Sequence, residues 1–190
     1  MGRKSNADQR RAEIIRALYD CLAEQGHEKV TIKVIAARAG LPYGVIHYYF
    51  KRKEDIVSNL AQALVDQYSQ MLNDRLVDAH TGGEAVATVI DFVVEHLIFD
   101  RRLNRVFFNL TQMAFEREPL HRVMTSMFRI YRQQLADVLE AADSRPQDPS
   151  VGAAVVALAE GFALQWMIEP GVFTKKAVKT ALLQAVGAGT

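Results

Sequence analysis

The chain contains 190 residues with a mass of 21.3 kDa, of which 49% are hydrophobic and 24% are charged. This composition is typical of a folded globular protein and excludes extended disorder and collagen-like repeats. A single cysteine excludes an internal disulfide, and Glu160 interrupts the most apolar region, so no apolar run approaches the roughly 18 residues of a membrane span. We therefore expect a cytoplasmic protein that does not enter a membrane.

The basic residues are concentrated in the first third of the chain. Residues 1–60 carry eleven lysines and arginines against seven acidic residues, whereas the rest of the chain carries twelve against fifteen. This asymmetry favours contact between the N-terminal part and a polyanion.

Helical periodicity dominates the sequence, and no segment alternates apolar and polar residues in the manner of a strand. The first predicted helix covers residues 8–25, and Gly26 follows it as a C-terminal stop. Two short helices are predicted next, at residues 31–39 and 42–49, and Gly40 ends the first of them.

A long helix is predicted at residues 53–79, and the glycine pair after Thr81 is the clearest break in the chain. Five further helices are predicted beyond this break, at residues 84–99, 101–116, 119–143, 151–168 and 174–187. We therefore predict an all-α fold of about nine helices. It would comprise a small N-terminal domain at residues 1–52 and a larger helical bundle at residues 53–190.

The two short helices have the spacing of a helix-turn-helix, because Gly40 can adopt the left-handed backbone of a tight turn. A helix fits the major groove of DNA, which is about 12 Å wide. Four residues are predicted on the exposed face of the second helix: Tyr43, Gly44, His47 and Tyr48. Four basic residues flank that face and could neutralise phosphates: Lys33, Lys51, Arg52 and Lys53. A helical hairpin with solvated lysines explains the spacing equally well.

Residues 31–56 read TIKVIAARAGLPYGVIHYYFKRKEDI. This segment resembles the DNA-binding signature of the TetR family of transcriptional regulators. The shared features are the opening threonine, the Ile-Ala pair, the Ala-Gly turn, Gly44, the Tyr-Phe pair and the Lys-Glu start of the long helix. The resemblance covers residues 8–60. Residues 118–120 and 160–165, followed by Pro170, are similar to the C-terminal domain of BetI-type members.

The resemblance implies roles for individual residues. Thr31 would cap its helix and reach a phosphate, and Lys53 would meet a phosphate near the start of the long helix. Tyr43 stands where family members read bases, and His47 and Tyr49 stand where they touch the DNA backbone. The full set of predicted DNA-binding residues is Thr31, Lys33, Pro42, Tyr43, Gly44, Val45, His47, Tyr48, Tyr49, Lys51 and Lys53.

Three departures from the family pattern bear on the operator sequence rather than on the activity. Pro42 replaces the common serine and removes a hydroxyl N-cap. Val45 replaces the common threonine, so it offers a thymine methyl an apolar contact but no hydrogen bond. His47 replaces the common tyrosine, which makes its contact sensitive to protonation. Arg3 and Lys4 could reach a neighbouring groove, although a solvated terminus explains them as well.

Aromatic and methionine side chains recur at helical spacing between residues 84 and 143, which by default indicates core packing. A bundle of this kind can also enclose a cavity with a few polar groups turned inward, and in TetR-like proteins that cavity binds an inducer. The predicted ligand-binding residues are Phe92, His96, Phe108, Asn109, Gln112, Met127, Phe128, Tyr131, Gln165 and Trp166. Because this set contains no clear buried cation, we predict a largely apolar or aromatic ligand.

The last two predicted helices carry small residues at every fourth position. These residues are Ala153, Ala157 and Gly161 on one helix and Ala177, Ala181 and Ala185 on the other. Small residues at this spacing let helices approach closely, and two such helices from each of two subunits would form a four-helix dimer interface. Packing within one chain is the alternative.

The sequence contains no catalytic constellation, no metal-ligand spacing and no phosphate-binding glycine loop, so we expect no enzyme activity and no cofactor. The leading hypothesis is a homodimeric regulator, usually a repressor in this family, that binds a near-palindromic double-stranded operator. A small-molecule effector would release it. The alternatives are a ligand-independent helical DNA-binding or interaction protein and a small-molecule enzyme built in a helical bundle.

Overall fold

The computed structural model describes residues 6–143 and 149–187, and over these ranges it contains nine α-helices and no strand. The helices are α1 (Asn6–Glu24), α2 (Ile32–Ala39), α3 (Tyr43–Tyr49), α4 (Lys53–Leu76), α5 (Gly82–Phe92), α6 (Arg101–Ala114), α7 (Glu118–Asp143), α8 (Pro149–Ile168) and α9 (Lys175–Ala185). The predicted all-α fold is confirmed, and the helix ends lie within a few residues of their predicted positions. The predicted contacts of Arg3 and Lys4 fall outside the described residues.

Two further short segments have a helical geometry other than α. A 3-10 turn (His27–Lys29) lies between α1 and α2. A π-helical segment (Val93–Ile98) continues α5, where the sequence predicted one uniform helix. π-helical turns are rare and frequently occur at functional sites.

The chain divides into two compact units. The first comprises Met1–Asp66 and Arg105–Thr125, and the second comprises Gln67–Asn104 and Ser126–Thr190. The helix-turn-helix helices therefore share a unit with most of α6 and the start of α7. The predicted boundary between residues 52 and 53 does not coincide with a boundary between these packing units, and it stays a prediction about how the functions are divided.

The core of the first unit is built on the apolar stripe of α1. Ile14, Leu18 and Leu22 have no exposed surface, and α1 packs against both α2 and α3. Ile35 of α2 and Ile46 of α3 are likewise completely buried. Each such side chain contributes about 1.5–3 kcal/mol on burial. This core holds α3 by one face and leaves its opposite face to solvent.

The two glycines predicted to end helices differ in conformation. Gly40 has φ 65° and ψ 30°, and the N–H of Leu41 donates to the carbonyl of Ala36 at 3.0 Å, as in a glycine-terminated helix. Gly26 has φ −66° and ψ 149°, so it is extended and provides no left-handed cap for α1. The carbonyls of Leu22 and Glu24 at the end of α1 accept hydrogen bonds from side chains of α6.

The second unit has its own apolar core. A capping box begins α5, in which Thr81 Oγ1 accepts from the Glu84 N–H at 3.2 Å and Glu84 Oε2 accepts from the Thr81 N–H at 3.0 Å. The buried core residues are Leu72, Val86, Val89, Ile90, Phe92, Val94, Ile98, Leu135, Leu139, Val155, Ala163, Val178 and Leu182. Although α8 is 20 residues long, its described part contributes two buried residues to this core, Val155 and Ala163, and three partly buried residues pack against it: Val151, Ala159 and Phe162.

Candidate DNA-binding surface and candidate ligand-binding residues

The outer face of α3 is the candidate DNA-reading surface. Ile46 is fully buried and Phe50 is 3% exposed, so these two side chains anchor the inner face. Four residues are exposed on α3: Tyr43, Gly44, His47 and Tyr48. The candidate surface therefore projects from a rigid core rather than from a loop.

Two pairs of aromatic rings shape this surface. The rings of Tyr43 and His47, one helical turn apart, meet edge to face with centroids 4.9 Å apart, and Tyr48 meets Tyr49 in the same way at 5.0 Å. Tyr43 is 48% exposed and Tyr48 is 82% exposed. Aromatic side chains grouped on an exposed face mark an interaction site, because the fold gains little from leaving them in water.

Gly44 leaves the backbone of α3 open to close approach. A Cβ atom at this position would meet no atom within 4 Å, so no packing constraint within the chain requires glycine. Glycine in an exposed helix costs about 1 kcal/mol relative to alanine. Its presence fits a surface on which another molecule approaches the backbone closely.

The flanking polar residues differ in how freely they can reach a phosphate. Lys33 and Lys51 are exposed. The guanidinium of Arg52 lies 3.8 Å from Asp55, and its side chain is 75% exposed. Thr31 Oγ1 accepts from the backbone N–H of Val34 at 3.3 Å, so this hydroxyl caps α2.

Lys53 is the exception among the basic residues. Its side chain is half-buried, and Nζ donates to the backbone carbonyl of His27 at 3.1 Å. Burial, reinforced by the nearby Arg117 guanidinium, lowers the pKa of the Lys53 ammonium. The ammonium predicted to meet a phosphate is therefore directed into the first unit.

The predicted ligand-binding residues are divided between the two units. Phe108, Asn109 and Gln112 belong to the first unit, and the other seven belong to the second. Gln112 is exposed and Phe108 is half-buried. Asn109 Nδ2 has three carbonyl acceptors and Oδ1 accepts a backbone N–H, so its amide hydrogens are already used within the chain. We therefore leave Asn109 out of the proposed ligand site.

Arg75 of α4 contacts two of the predicted ligand-binding residues, His96 and Phe92. Its Nη2 donates to His96 Nε2 at 2.8 Å, its Nη1 donates to Glu95 at 3.0 Å, and its guanidinium lies 5.6 Å from the centre of the buried Phe92 ring. The accepting Nε2 assigns the ring proton of a neutral His96 to Nδ1. Sequence reasoning missed Arg75, because nothing along the chain signals that α4 contacts the π-helical segment.

The remaining candidates of the second unit lie on α7 and α8. Met127 is buried, and burial raises the pKa of Tyr131 to about 12. Trp166 is half-buried with its ring 5.3 Å from that of Phe99, whereas Gln165 is exposed. Phe128 is half-buried on the same helix as Tyr131. Among the described residues no group of three histidine, cysteine or acidic side chains could hold a metal.

The small residues of α8 and α9 lie on the outside of the second unit. Four are exposed, namely Ala153, Ala157, Ala177 and Ala185, and two are half-buried, namely Gly161 and Ala181. Apolar neighbours on α8 are exposed as well: Leu158 by 39%, Leu164 by 48% and Ile168 by 80%. An apolar helix face of this extent is unusual on a monomer surface.

The same helix passes a length and composition test for a membrane span. Ser150–Ile168 has a mean hydropathy of 1.6, which is high enough for a membrane-spanning helix even though it contains Glu160. Our expectation that no segment is long and apolar enough to span a membrane is therefore wrong by this measure. A single helix of this kind is weak evidence for a membrane, because the helices of soluble proteins meet the same test.

Sequence comparisons match both parts of the chain to known families. Residues 14–60 match the family described as bacterial regulatory proteins, tetR family, and residues 82–188 match the BetI-type transcriptional repressor C-terminal family. The fatty acid metabolism regulator protein of Bacillus subtilis is 33% identical over 78 residues, which are 41% of this chain and 40% of that protein. The HTH-type transcriptional regulator BetI of Brucella canis is 22% identical over 156 residues, covering 82% of this chain and 79% of that protein.

Solved structures share the fold over nearly the whole chain. A transcriptional regulator from Pseudomonas aeruginosa superposes with a TM-score of 0.86 at 19% identity, covering 97% of this chain and 91% of that one. A regulator from Saccharomonospora viridis in complex with choline has a TM-score of 0.84 at 17% identity, covering 95% and 96%. FadR from Bacillus subtilis in complex with stearoyl-CoA has a TM-score of 0.79 at 23% identity, covering 94% and 98%.

Proposed function

The chain belongs to the TetR family of transcriptional regulators, and on this premise we propose that it is a homodimeric repressor released from a near-palindromic operator by a small molecule. Regulators of this family combine an N-terminal DNA-binding domain with a C-terminal ligand-binding domain, and they are not enzymes. We assign DNA binding to residues 1–52, ligand binding and dimerisation to residues 53–190, and the cytoplasm as the compartment.

The observation that carries the proposal is the outer face of α3. Tyr43 and His47 project from a helix whose inner face is locked by Ile46, and Gly44 between them leaves the backbone open. We propose that these side chains read base edges in the major groove while the exposed Lys33 and Lys51 contact phosphates. The complete proposed set keeps Thr31, Pro42, Val45, Tyr48 and Tyr49 as further contacts.

The proposed dimer rests on the exposed ridges of α8 and α9. Ala157 lies in the middle of an apolar face that the chain's own core leaves uncovered, and a second copy would cover that face by two-fold symmetry. A dimer also places two recognition helices for half-sites about 34 Å apart, as helix-turn-helix proteins require. This use of α8 accounts for its apolar composition without a membrane.

The proposed effector site lies in the second unit, around Phe92, His96 and the aromatic residues of α7 and α8. Most of these side chains are apolar or aromatic and at least partly buried, which favours a largely apolar or aromatic ligand. Release would follow if the ligand stabilised a conformation in which the two recognition helices no longer match adjacent grooves.

The test is a titration of the full chain against DNA upstream of its own gene, followed by fluorescence anisotropy. We expect sequence-dependent binding that weakens as salt rises, and release by at least one probe from a panel that includes stearoyl-CoA and choline, the ligands of two structural neighbours. Binding that ignores both sequence and salt would contradict the proposal.

Replacing Lys51 by alanine should weaken binding to all DNA sequences to a similar degree. If Lys51 neutralises one phosphate per subunit, the slope of log K against log salt falls by about 1 for each contact removed. Anisotropy titrations at four salt concentrations measure this slope. Arg122→Ala is the matched control, because Arg122 is an exposed cation on α7, and its slope should equal that of the wild type.

A further inference from the structure

Two of the last four carbonyls of α1 accept hydrogen bonds from side chains of α6, while the carbonyl of Cys21 accepts from the backbone N–H of Gln25 at 3.0 Å. Helix ends leave backbone carbonyls without intrahelical partners, and the extended Gly26 provides no cap here. Asn109 Nδ2 donates to the carbonyl of Leu22 at 3.0 Å, and Arg105 Nη2 donates to the carbonyl of Glu24 at 3.0 Å. Residues more than 80 positions along the chain therefore complete the first helix of the DNA-binding part.

The peptide groups of His27, directly after this helix end, are held from two sides. Asn109 Oδ1 accepts from the His27 N–H at 2.8 Å, and Lys53 Nζ donates to the His27 carbonyl at 3.1 Å. One residue of the turn between α1 and α2 thus links α6 to the first residue of α4. We call this three-residue arrangement, Asn109–His27–Lys53, the His27 junction.

The junction depends on the backbone of residue 27 and not on its side chain. The imidazole Nδ1 of His27 is buried without a hydrogen-bond partner and lies 3.5 Å from Glu28 Oε2 in the same turn, so the ring contributes no bond from that atom to Asn109 or Lys53. Asn109 carries most of the polar contacts, because it bonds the last turn of α1 and the following turn together. Loss of its amide would leave several backbone groups unsatisfied at once.

A second contact holds the start of α4 against the chain that follows α6. Arg117 Nη1 donates to Glu54 Oε1 at 2.5 Å, beside a cleft lined by Val57 and Leu120 among others. The Arg117–Glu54 bond therefore fixes the first turn of α4, and Lys53, the first residue of that helix, is held in the same turn. Its ammonium has a protein acceptor and a half-buried stem.

We propose that Asn109 and Lys53 are positioning residues that fix the turn between α1 and α2, and through the shared core the recognition helix α3. This assigns Lys53 a role other than the phosphate contact implied by the family resemblance, and Asn109 a role other than the ligand contact predicted from sequence. Neither residue touches DNA in this assignment. Both set the orientation in which Tyr43 and His47 meet the groove.

The first test is hydrogen exchange of the full chain without DNA, which does not depend on the proposed function. Asn109→Ala and Lys53→Met should each speed amide exchange in peptides covering residues 22–30 by about 10-fold, because the junction bonds are lost. Lys53→Arg, which keeps a donor, should restore protection, and His27→Ala should leave it unchanged. If the amides of residues 22–30 exchange in Lys53→Met as slowly as in the wild type, the assignment is overturned. This outcome can be read even if Asn109→Ala does not fold.

The second test measures operator affinity against salt and rests on the proposed DNA-binding function. Lys53→Met should weaken binding by about 10-fold without changing the salt slope, whereas Lys51→Met should lower the slope by about 2, because each subunit of the dimer loses one phosphate contact. The double variant Asn109→Ala, Lys53→Met should lose less affinity than the product of the single losses, because both act through His27. A slope change in Lys53→Met equal to that of Lys51→Met would show a phosphate contact and overturn the inference. If the wild type binds no operator, the proposed function fails, while the exchange result still judges the junction.

Discussion

Replacing Ala157 by glutamate is expected to convert the dimer into a monomer and to weaken operator binding by at least about 100-fold, or about 2.7 kcal/mol. Ala157 is exposed in the middle of the α8 ridge, between apolar neighbours that the core leaves uncovered. In the proposed interface the two-fold axis would bring two such carboxylates into an apolar contact. Burying an unpaired charge there costs several kcal/mol, and a monomer reads only one half-site.

Analytical ultracentrifugation at micromolar concentration, together with anisotropy on operator DNA, measures both effects. Ala63→Glu is the matched control, because Ala63 is exposed on the long helix α4 and the same substitution there should leave the dimer intact. Circular dichroism checks that both variants keep their helices. A dimer that persists in Ala157→Glu would place the subunit interface elsewhere.

The double replacement Tyr43→Ala, His47→Ala is expected to abolish sequence preference while sparing general DNA binding. Base contacts are worth about 1–3 kcal/mol each, and both half-sites of the dimer lose them, so operator affinity should fall by about 100-fold or more. Binding to unrelated DNA, which depends on the exposed lysines, should change by less than about 3-fold. Both side chains are exposed, and the aromatic contact between them is lost as a pair in the double variant. The free energy of unfolding should therefore hardly change.

Competition titrations with operator and scrambled duplexes give the specificity ratio directly. Phe115→Ala is the control, because Phe115 is 82% exposed but lies beyond the end of α6, away from the recognition helix in sequence. Its ratio should equal that of the wild type. An unchanged ratio in the Tyr43, His47 double variant would remove α3 as the reading surface.

The helices were predictable because each has a local signal. The apolar stripe of α1 and the left-handed Gly40 both depend on residues within a few positions, and local patterns report such features well. The π-helical segment after α5 was not predictable, because its sequence has no breaker and its geometry depends on neighbouring helices.

Contacts between distant segments account for what the sequence missed. Asn109 looks like a polar residue beside the aromatic pair Phe107 and Phe108, which suited a ligand cavity, yet it caps α1 from 87 positions away. Lys53 matches a family position, but its ammonium bonds a carbonyl in the turn before α2. Arg75 gave no signal at all, since only the contact of α4 with the π-helical segment brings it to His96. The type of a side chain predicts which hydrogen bonds it can make, whereas the fold decides which residue it bonds.

The measurement that tests the central claim most directly is quantitative footprinting of the purified chain on the DNA upstream of its gene. The account predicts one protected site made of two symmetry-related half-sites whose centres lie about 34 Å, or a multiple of that, apart, with protection lost in the Tyr43→Ala, His47→Ala variant. Protection that lacks two-fold symmetry, or that the variant reproduces unchanged, would contradict it.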